Sequence, residues 1–291
     1  MQFRLLAIAM ILMSMASIQF GAALAKNLFP LVGVAGTAMV RSTLAALLLV
    51  TVRQPWKGGP VTRVALSELV LYGGALGAMS LFFYLSLARI PLGVSVALQF
   101  LGPLGLAICT SHRLTDLLWA GLAGVGIFLL LTANGDLGPQ HNLDIKGVSF
   151  ALLAALCWAL YIFFGQRAGK HLSDGRASSL GLVISSLIII PFGLHHAGTD
   201  LGNHTLWLYA PLVAVLSSAL PYSLEMMAMT RLPAKTFGVM MSFEPAFAAI
   251  LGDLMLHENL HWQQWLSIGL IIAASVGSII SEGAKAEAHQ G

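Results

Sequence analysis

Charged residues are scarce in this sequence, and their scarcity excludes a soluble globular protein. Asp, Glu, Lys and Arg make up 9% of the 291 residues, whereas they make up about 25% of an average soluble domain. Hydrophobic residues account for 57% of the chain. We therefore expect the chain to lie in a lipid bilayer.

Disulfide frameworks, clustered basic charge and nucleotide-binding loops are missing as well. The two cysteines, Cys109 and Cys157, fall inside apolar segments, so no disulfide framework is predicted. The formal net charge is +3, but the basic residues are spread singly over short connections, which argues against nucleic-acid binding. There is no Walker loop, dinucleotide fingerprint or nucleophile elbow with its partners. We therefore expect no cofactor and no ATP-driven chemistry.

Long apolar runs are what the sequence has in abundance. A helix that crosses a membrane needs about 20 mostly apolar residues, and ten segments fit this template. The first run is too long for the core of a secretory signal, so we interpret it as a span. The predicted spans are residues 5–25, 31–52, 65–88, 91–110, 114–133, 148–168, 178–197, 206–229, 233–256 and 261–281.

Lysine and arginine are concentrated in alternate connections, and this bias predicts the orientation of the chain. If the amino terminus is inside, the inner connections hold most of the basic residues, so both termini are predicted to face the cytoplasm. The inner set is Arg4, Arg53, Lys57, Arg63, Arg113, Arg167, Lys170, Arg176, Arg231, Lys235 and Lys285, and the outer set is Lys26, Arg89 and Lys146.

A weak internal repeat accompanies these spans. The segment RIPLGVSVALQFLGP, beginning at Arg89, aligns with RLPAKTFGVMMSFEP, beginning at Arg231, at an offset of 142 residues. Because each half has five spans, an odd number, the second copy enters the membrane from the opposite side, as in inverted-repeat transporters. The predicted organisation is a first five-helix repeat at 1–133, a periplasmic linker at 134–147, a second five-helix repeat at 148–281 and a cytoplasmic polar tail at 282–291.

Proline interrupts the same predicted span in both copies of the repeat. Pro103 aligns with Pro245, and each removes a backbone donor inside an apolar run, so both are predicted to break a helix. The residue before Pro245 is Glu244, whereas the residue before Pro103 is Gly102. The prolines therefore belong to the shared architecture, and the glutamate is a candidate for function.

Two opposite charges lie near the middle of predicted spans, Arg41 in the second and Glu244 in the ninth. A charge at the bilayer centre costs roughly 2.5–3.5 kcal/mol on insertion scales, so something must offset it. If Arg41 binds a substrate carboxylate and Glu244 a substrate ammonium, the pair selects zwitterionic amino acids, and Glu244 can also take a proton. The alternatives are a Glu244 that stays protonated because it is desolvated, and a permanent Arg41–Glu244 ion pair that holds two helices together.

Other polar and aromatic residues inside the spans are candidates for lining a substrate cavity. Several recur on one helical face, although core packing or interfacial anchoring is the more common role of a single aromatic residue. Glu225, near Arg231, is interpreted either as a gating or proton-coupling residue or as half of an interfacial ion pair. The cavity candidates are Gln19, Tyr84, Gln99, Trp158, Tyr161 and Tyr222.

One string is compatible with an enzyme. HENLH, at residues 257–261, matches the H-E-x-x-H pattern in which two histidines one helical turn apart bind zinc beside a glutamate base. That pattern requires a continuous helix, but the ninth predicted span ends here. We interpret these histidines as loop residues, predict no metal site, and keep a membrane zinc protease as a remote alternative.

Four longer segments resemble one family of membrane proteins. They are MASIQFGAALAKNLFPLVG, IPLGVSVALQFLGP, CWALYIFFGQRAG and SALPYSLEMMAMTRLPAKTFGVMMSFEPAFAAILGDLMLHENL. With them the chain is similar to the EamA-type exporters of the drug/metabolite transporter superfamily. The resemblance implies an all-α membrane protein with ten transmembrane helices in two inverted five-helix repeats, in the bacterial inner membrane. It also implies a structural role for Glu258, in the loop after the ninth span.

These observations lead us to expect a secondary active exporter and not an enzyme. The resemblance implies efflux of small amino acids driven by the proton gradient. We expect export of threonine, homoserine or similar amino acids by alternating access with proton antiport, and no obligate protein partner. Export of other metabolites or drugs is the alternative within the same superfamily. A membrane scaffold without transport is a third hypothesis, but a scaffold does not need charges in the middle of its spans.

Overall fold

The computed structural model describes residues 2–57, 59, 61–110, 114–132, 144–172, 174–197, 201–221, 224, 228 and 240–288. Within these ranges the regular structure is helical and contains no strand. A 3₁₀ turn at Pro55–Lys57 and a π-helical segment at Val215–Ala219 accompany the α-helices. The α-helices are α1 (Gln2–Lys26), α2 (Phe29–Arg53), α3 (Arg63–Leu87), α4 (Leu92–Gln99), α5 (Leu101–Thr110), α6 (Leu114–Thr132), α7 (Ile145–His171), α8 (Asp174–Ala197), α9 (His204–Ala214), α10 (Glu244–Leu256) and α11 (Trp262–Ala288).

These helices have the length and composition of membrane spans. In the described ranges, five are long and apolar enough to cross a bilayer, and they belong to α1, α2, α3, α7 and α8. Shorter apolar helices cover Leu92–Leu106, Leu118–Leu130 and His204–Ala219. Where its residues are described, each predicted span coincides with one helix or with two consecutive helical segments, and the parts of the eighth and ninth spans within 222–239 lie largely outside the described residues. The predicted all-α membrane fold is therefore confirmed.

Two spans are interrupted close to their prolines. α4 ends at Gln99 and α5 begins at Leu101, so Pro103 lies in the first turn of α5. α10 begins at Glu244, so Pro245 lies in the first turn of that helix. The first turn tolerates proline because its N–H groups have no acceptor within the helix. Each interruption leaves backbone groups that must be surrounded by protein or by a cavity at membrane depth.

Helices of the first half pack on helices of the second half in a symmetric pattern. α2 packs on α8, α4 on α10 and α6 on α11, and the members of each pair are predicted counterparts in the repeat. α3 packs on α7, and the corresponding pair, formed by α1 with α9 and the π-helical segment, is also in contact. A two-fold axis between the halves generates this set of pairings. The repeat boundaries themselves stay a prediction.

Gly102 lies where α5 and α7 approach each other closely. A Cβ atom on Gly102 would lie 2.0 Å from the carbonyl oxygen of Ala155, whereas one on Gly105, in the same helix, would meet nothing within 4 Å. Small residues at such contacts allow helix backbones to approach in membranes. The position that aligns with Glu244 therefore has no room for a side chain, which is a steric reason for the difference between the two halves.

α2 bends at Gly33, which has φ 69° and ψ 172°. Glycine adopts this backbone conformation readily because it has no Cβ atom. Thr37 Oγ1 donates a hydrogen bond of 2.9 Å to the carbonyl oxygen of Gly33. Arg41 lies about two helical turns after Gly33. The bend at Gly33 therefore sets the direction of the part of α2 that carries Arg41.

The residues after α10 do not continue the helix. α10 ends at Leu256, and His257 adopts a left-handed conformation with φ 53° and ψ 39°. Oε1 of Glu258 accepts a hydrogen bond from Lys26 Nζ at the end of α1, and its Oε2 accepts one of 2.6 Å from the N–H of Leu92 at the start of α4. A carboxylate is favoured at a helix N-terminus by the helix dipole. These contacts give Glu258 a structural role that ties three helices together.

Candidate functional site

Arg41 is surrounded by serine hydroxyls and one aromatic ring. Its Nη1 donates to Ser218 Oγ at 3.0 Å and lies 3.4 Å from both the Oγ and the carbonyl oxygen of Ser217. Its Nη2 donates to Ser80 Oγ. The guanidinium also lies over the ring of Tyr84, with Cζ 5.3 Å from the ring centroid. Neutral groups therefore solvate this cation.

The sequence around Ser217 explains how its carbonyl oxygen can accept from Arg41. Pro221 has no N–H, so it cannot donate to the carbonyl four residues before it, which is that of Ser217. The π-helical segment that carries Ser217 and Ser218 packs closely on α1. A Cβ atom added to Gly21 of α1 would lie only 2.8 Å from the backbone nitrogen of Ser217. Single π-helical turns are frequent at functional sites.

Arg41 has no acidic partner in the part of the chain that the structure describes. The ion pairs found there join other residues, and none includes Arg41. Its Nε is buried and has no hydrogen-bond partner in the same ranges. Because arginine keeps its proton in proteins, the site retains a full positive charge and an unused donor. The alternative of a permanent Arg41–Glu244 ion pair is therefore wrong.

Glu244 is buried at the first residue of α10. Its Oε1 accepts a hydrogen bond of 2.9 Å from Nε2 of Gln19, a fully buried residue of α1. The N-terminal end of a helix carries partial positive charge, which stabilises a carboxylate there. The interrupted span therefore offsets part of the cost of placing this acid in the membrane.

α1 connects the surroundings of the two charges. Ser17 Oγ donates a hydrogen bond of 2.7 Å to the carbonyl oxygen of Leu216, in the π-helical segment, and Gly21 packs on the same segment. Gln19 lies between Ser17 and Gly21 in sequence and donates to Glu244. The segment that carries the serines around Arg41 therefore packs on α1 within about one helical turn of Gln19, the residue that donates to Glu244.

Three further cavity candidates are found in packing contacts or at a helix end. Gln99 is buried at the last residue of α4. Trp158 contacts Phe100 edge to face, with ring centroids 5.3 Å apart. Tyr161 stacks on Tyr72 at 5.0 Å, in the interface between α3 and α7. The two aromatic residues thus pack neighbouring helices, and among the aromatic candidates within the described ranges it is Tyr84 that contacts Arg41.

Two other candidates, Tyr222 and Glu225, lie outside the described residues. Two residues that the sequence analysis did not select, Ser217 and Ser218, contact Arg41 in the candidate site. The available signal was the adjacent pair of hydroxyl residues shortly before Pro221, in an otherwise apolar segment. Serine is common in membrane helices as a small packing residue, which hides this signal.

Comparisons with known proteins agree with this architecture. Residues 145–280 match the EamA-like transporter family. Over 283 residues, the chain is 46% identical to the threonine/homoserine exporter RhtA of Escherichia coli K12, covering 95% of this chain and 92% of that protein. The chain belongs to the EamA-like transporter family. It is therefore a membrane transporter of the drug/metabolite transporter superfamily and not an enzyme.

This EamA-like transporter has further relatives. It is 45% identical over 283 residues to the threonine/homoserine exporter RhtA of Salmonella typhimurium LT2, with 95% of this chain and 92% of that protein covered. An uncharacterized transporter of Archaeoglobus fulgidus is 24% identical over 171 residues, which are 59% of each chain. A solved crystal structure, 15% identical, covers 93% of this chain and 96% of its own with a TM-score of 0.59, so it supports the fold alone.

The zinc protease hypothesis is wrong for this EamA-like transporter. The H-E-x-x-H pattern places both histidines on one continuous helix. Here α10 ends at Leu256, and residues 257–261 are not helical. Glu258, the would-be catalytic base, instead accepts hydrogen bonds from Lys26 and Leu92.

Proposed function

We propose that this EamA-like transporter is a secondary active exporter of threonine, homoserine and similar small amino acids in the bacterial inner membrane. The observation that carries the proposal is the pair of opposite charges inside the spans, with Arg41 hydrogen-bonded to serines and Glu244 to Gln19. The relatives from Escherichia coli and Salmonella, which match over nearly their whole length, are named threonine/homoserine exporters.

Arg41 binds the substrate carboxylate in this proposal. A guanidinium presents its donors in a planar fork that matches a carboxylate, and the Nε of Arg41 is without a partner in the described ranges. Ser80 and Ser218 accept hydrogen bonds from Arg41, and their own hydroxyl protons remain available to donate. An incoming carboxylate would therefore meet donors from both the cation and the hydroxyls around it.

Glu244 binds the substrate ammonium and exchanges it for a proton. An ionised carboxylate attracts the ammonium, and a protonated one no longer carries the charge that attracts it. Ammonium and proton therefore compete for one buried group, which couples their movements. Export of the amino acid is then driven by entry of protons, which is antiport.

Alternating access is supported by the helix pairings and by the interrupted spans. α4 packs on α10, and both belong to spans that are interrupted next to a proline. Inverted repeats build two alternately opened mouths around such interrupted helices. The bias of Lys and Arg favours an orientation with both termini in the cytoplasm. One chain supplies both halves of the site, so we propose no obligate protein partner.

Glu244→Gln tests the proposal in everted membrane vesicles energised by a pH gradient. The amide keeps the size of the side chain but cannot become anionic or exchange a proton at neutral pH. We expect gradient-driven threonine accumulation to fall to the level of vesicles without the transporter, while the amount of protein in the membrane stays the same. Homoserine should behave like threonine.

Asp253→Asn is the matched control, because Asp253 is an exposed acid on the same helix. This variant should transport threonine at the wild-type rate. Wild-type rates in Glu244→Gln would remove Glu244 from the mechanism. A substrate panel in the same vesicles checks the substrate class, since transport of unrelated drugs without transport of threonine or homoserine would contradict the proposal.

A further inference from the structure

Gln19 has one hydrogen-bonding atom that no described residue satisfies. Its side chain is 1% exposed, and its Nε2 is engaged by Glu244 Oε1 at 2.9 Å. Its Oε1 is buried and has no hydrogen-bond partner in the same ranges. A buried amide oxygen without a donor is unfavourable and is rare in native proteins. This atom therefore indicates a donor that is supplied by something other than the surrounding described residues.

The helix that carries Gln19 is held by two hydrogen bonds before Gln19 and by the close packing of Gly21 on Ser217 after it. Ser14 Oγ donates to the carbonyl oxygen of Pro221, and Ser17 Oγ donates to that of Leu216. A side chain that is held by its own helix contacts and by Glu244 presents its second polar atom in a defined direction. Such an atom has the rigidity that a specific recognition contact requires.

We propose that Gln19 determines substrate specificity by accepting, at Oε1, a hydrogen bond from the side-chain hydroxyl of the amino-acid substrate. This inference rests on the proposed function. The division of roles follows from charge: ionised Glu244 suits the charged ammonium, and the neutral amide oxygen beside it suits a neutral hydroxyl donor.

The chemistry of the two proposed substrates fits this arrangement. Threonine carries its hydroxyl on the carbon next to the α-carbon, and homoserine carries it one carbon further out. Both hydroxyls are therefore close to the ammonium, as Oε1 of Gln19 is close to Glu244. Removing the hydroxyl converts either amino acid into the same compound, 2-aminobutyrate, which provides one probe for both substrates.

Gln19→Met tests the proposal, because methionine has a similar size and no amide group. In everted vesicles the wild-type KM for threonine and for homoserine should be about tenfold or more below that for 2-aminobutyrate, since a site that bonds a hydroxyl discriminates against an analogue without it. In Gln19→Met the ratio should fall close to one. Gln264→Met is the matched control, because Gln264 is also buried but lies on α11 and bonds to the backbone of His261; its ratio should stay at the wild-type value.

The ratio separates recognition from a purely structural role. If Gln19 only holds Glu244, the KM values for all three amino acids rise together and the ratio does not change, which would overturn the inference. Equal KM values for threonine and 2-aminobutyrate in the wild type would also overturn the inference. This second test needs no variant, so the inference can be refuted even if the Gln19→Met protein does not reach the membrane. Absence of threonine and homoserine transport in the wild type would instead overturn the proposed function, and this inference with it.

Discussion

Arg41 is solvated by hydroxyls, a carbonyl oxygen and an aromatic ring instead of by a counterion. Each neutral hydrogen bond contributes modestly, and a cation over a tyrosine ring adds about 0.5–2 kcal/mol depending on its desolvation. Together they offset the cost of a charge inside the membrane without neutralising it. The residue therefore stays able to attract an anion, which a permanent ion pair would prevent.

Arg41→Lys preserves the charge and removes the planar fork. Lysine supplies a compact ammonium that cannot form two parallel bonds to a carboxylate. We expect the KM for threonine to rise about tenfold or more, equivalent to roughly 1.4 kcal/mol, with a smaller change in the maximal rate. Transport assays in everted vesicles measure both quantities.

Arg53→Lys is the control for that substitution, because Arg53 is an exposed residue at the end of the same helix. Its KM should match the wild type. An unchanged KM in Arg41→Lys would mean that the guanidinium fork does not contact the substrate.

Sequence reasoning at the residue scale found the two charges and two of their contacts, Gln19 and Tyr84, and missed the serines around Arg41. Arg41 and Glu244 stand out because a charge in an apolar span is costly and therefore rare. Ser217 and Ser218 do not stand out, since serine is inexpensive in a helix. The ion-pair alternative arose because spacing along the chain says nothing about which neutral groups fold around a charge.

At the scale of helices, the interruptions at Gln99–Leu101 and at Glu244 have different consequences in the two halves. In the second half the interruption starts a helix with a buried acid that accepts a hydrogen bond from Gln19. In the first half Gly102 packs against the backbone of α7. One architecture therefore holds a proposed binding group in one half and allows close helix packing in the other.

Gly102→Ala tests that packing. Because the added Cβ would lie 2.0 Å from the carbonyl oxygen of Ala155, α5 and α7 must move apart. Overpacking of this kind costs about 1–3 kcal/mol, so the thermal unfolding temperature of the purified protein should fall measurably. Gly105→Ala, where nothing lies within 4 Å of the new atom, should leave it unchanged or slightly higher. Equal unfolding temperatures for the two variants would contradict the close approach.

The helices themselves were largely predictable, because long apolar runs and proline positions are local properties of the chain. Most predicted spans differ from the observed helices by one to four residues where the ends are described, as for α3, predicted at 65–88 and found at Arg63–Leu87. The last span is predicted to end at 281, but α11 continues to Ala288. The π-helical segment at Val215–Ala219 and the bend at Gly33 were not predicted. The π-helical segment packs closely on α1, a contact distant in sequence that no local pattern encodes. A glycine allows the bend at residue 33 but does not by itself predict it.

At the scale of the whole molecule, the two halves meet through counterpart helices, α2 with α8, α4 with α10 and α6 with α11. The sequence indicated this symmetry only through a thin repeat and an odd number of spans, because helix pairing is decided by contacts distant in sequence. In the proposed inverted repeat, two halves of opposite orientation around one site would provide two equivalent ways to open it. The proposed exchange of an amino acid for a proton depends on that property.

Proton movement in proteoliposomes tests the central claim most directly. The purified transporter is reconstituted with threonine and a pH-sensitive dye inside, no initial pH gradient, and the membrane potential clamped. As threonine leaves, antiport requires protons to enter, so the lumen should acidify in the wild type and stay at constant pH in Glu244→Gln. Threonine efflux from wild-type liposomes without acidification, or with alkalinisation, would contradict the account.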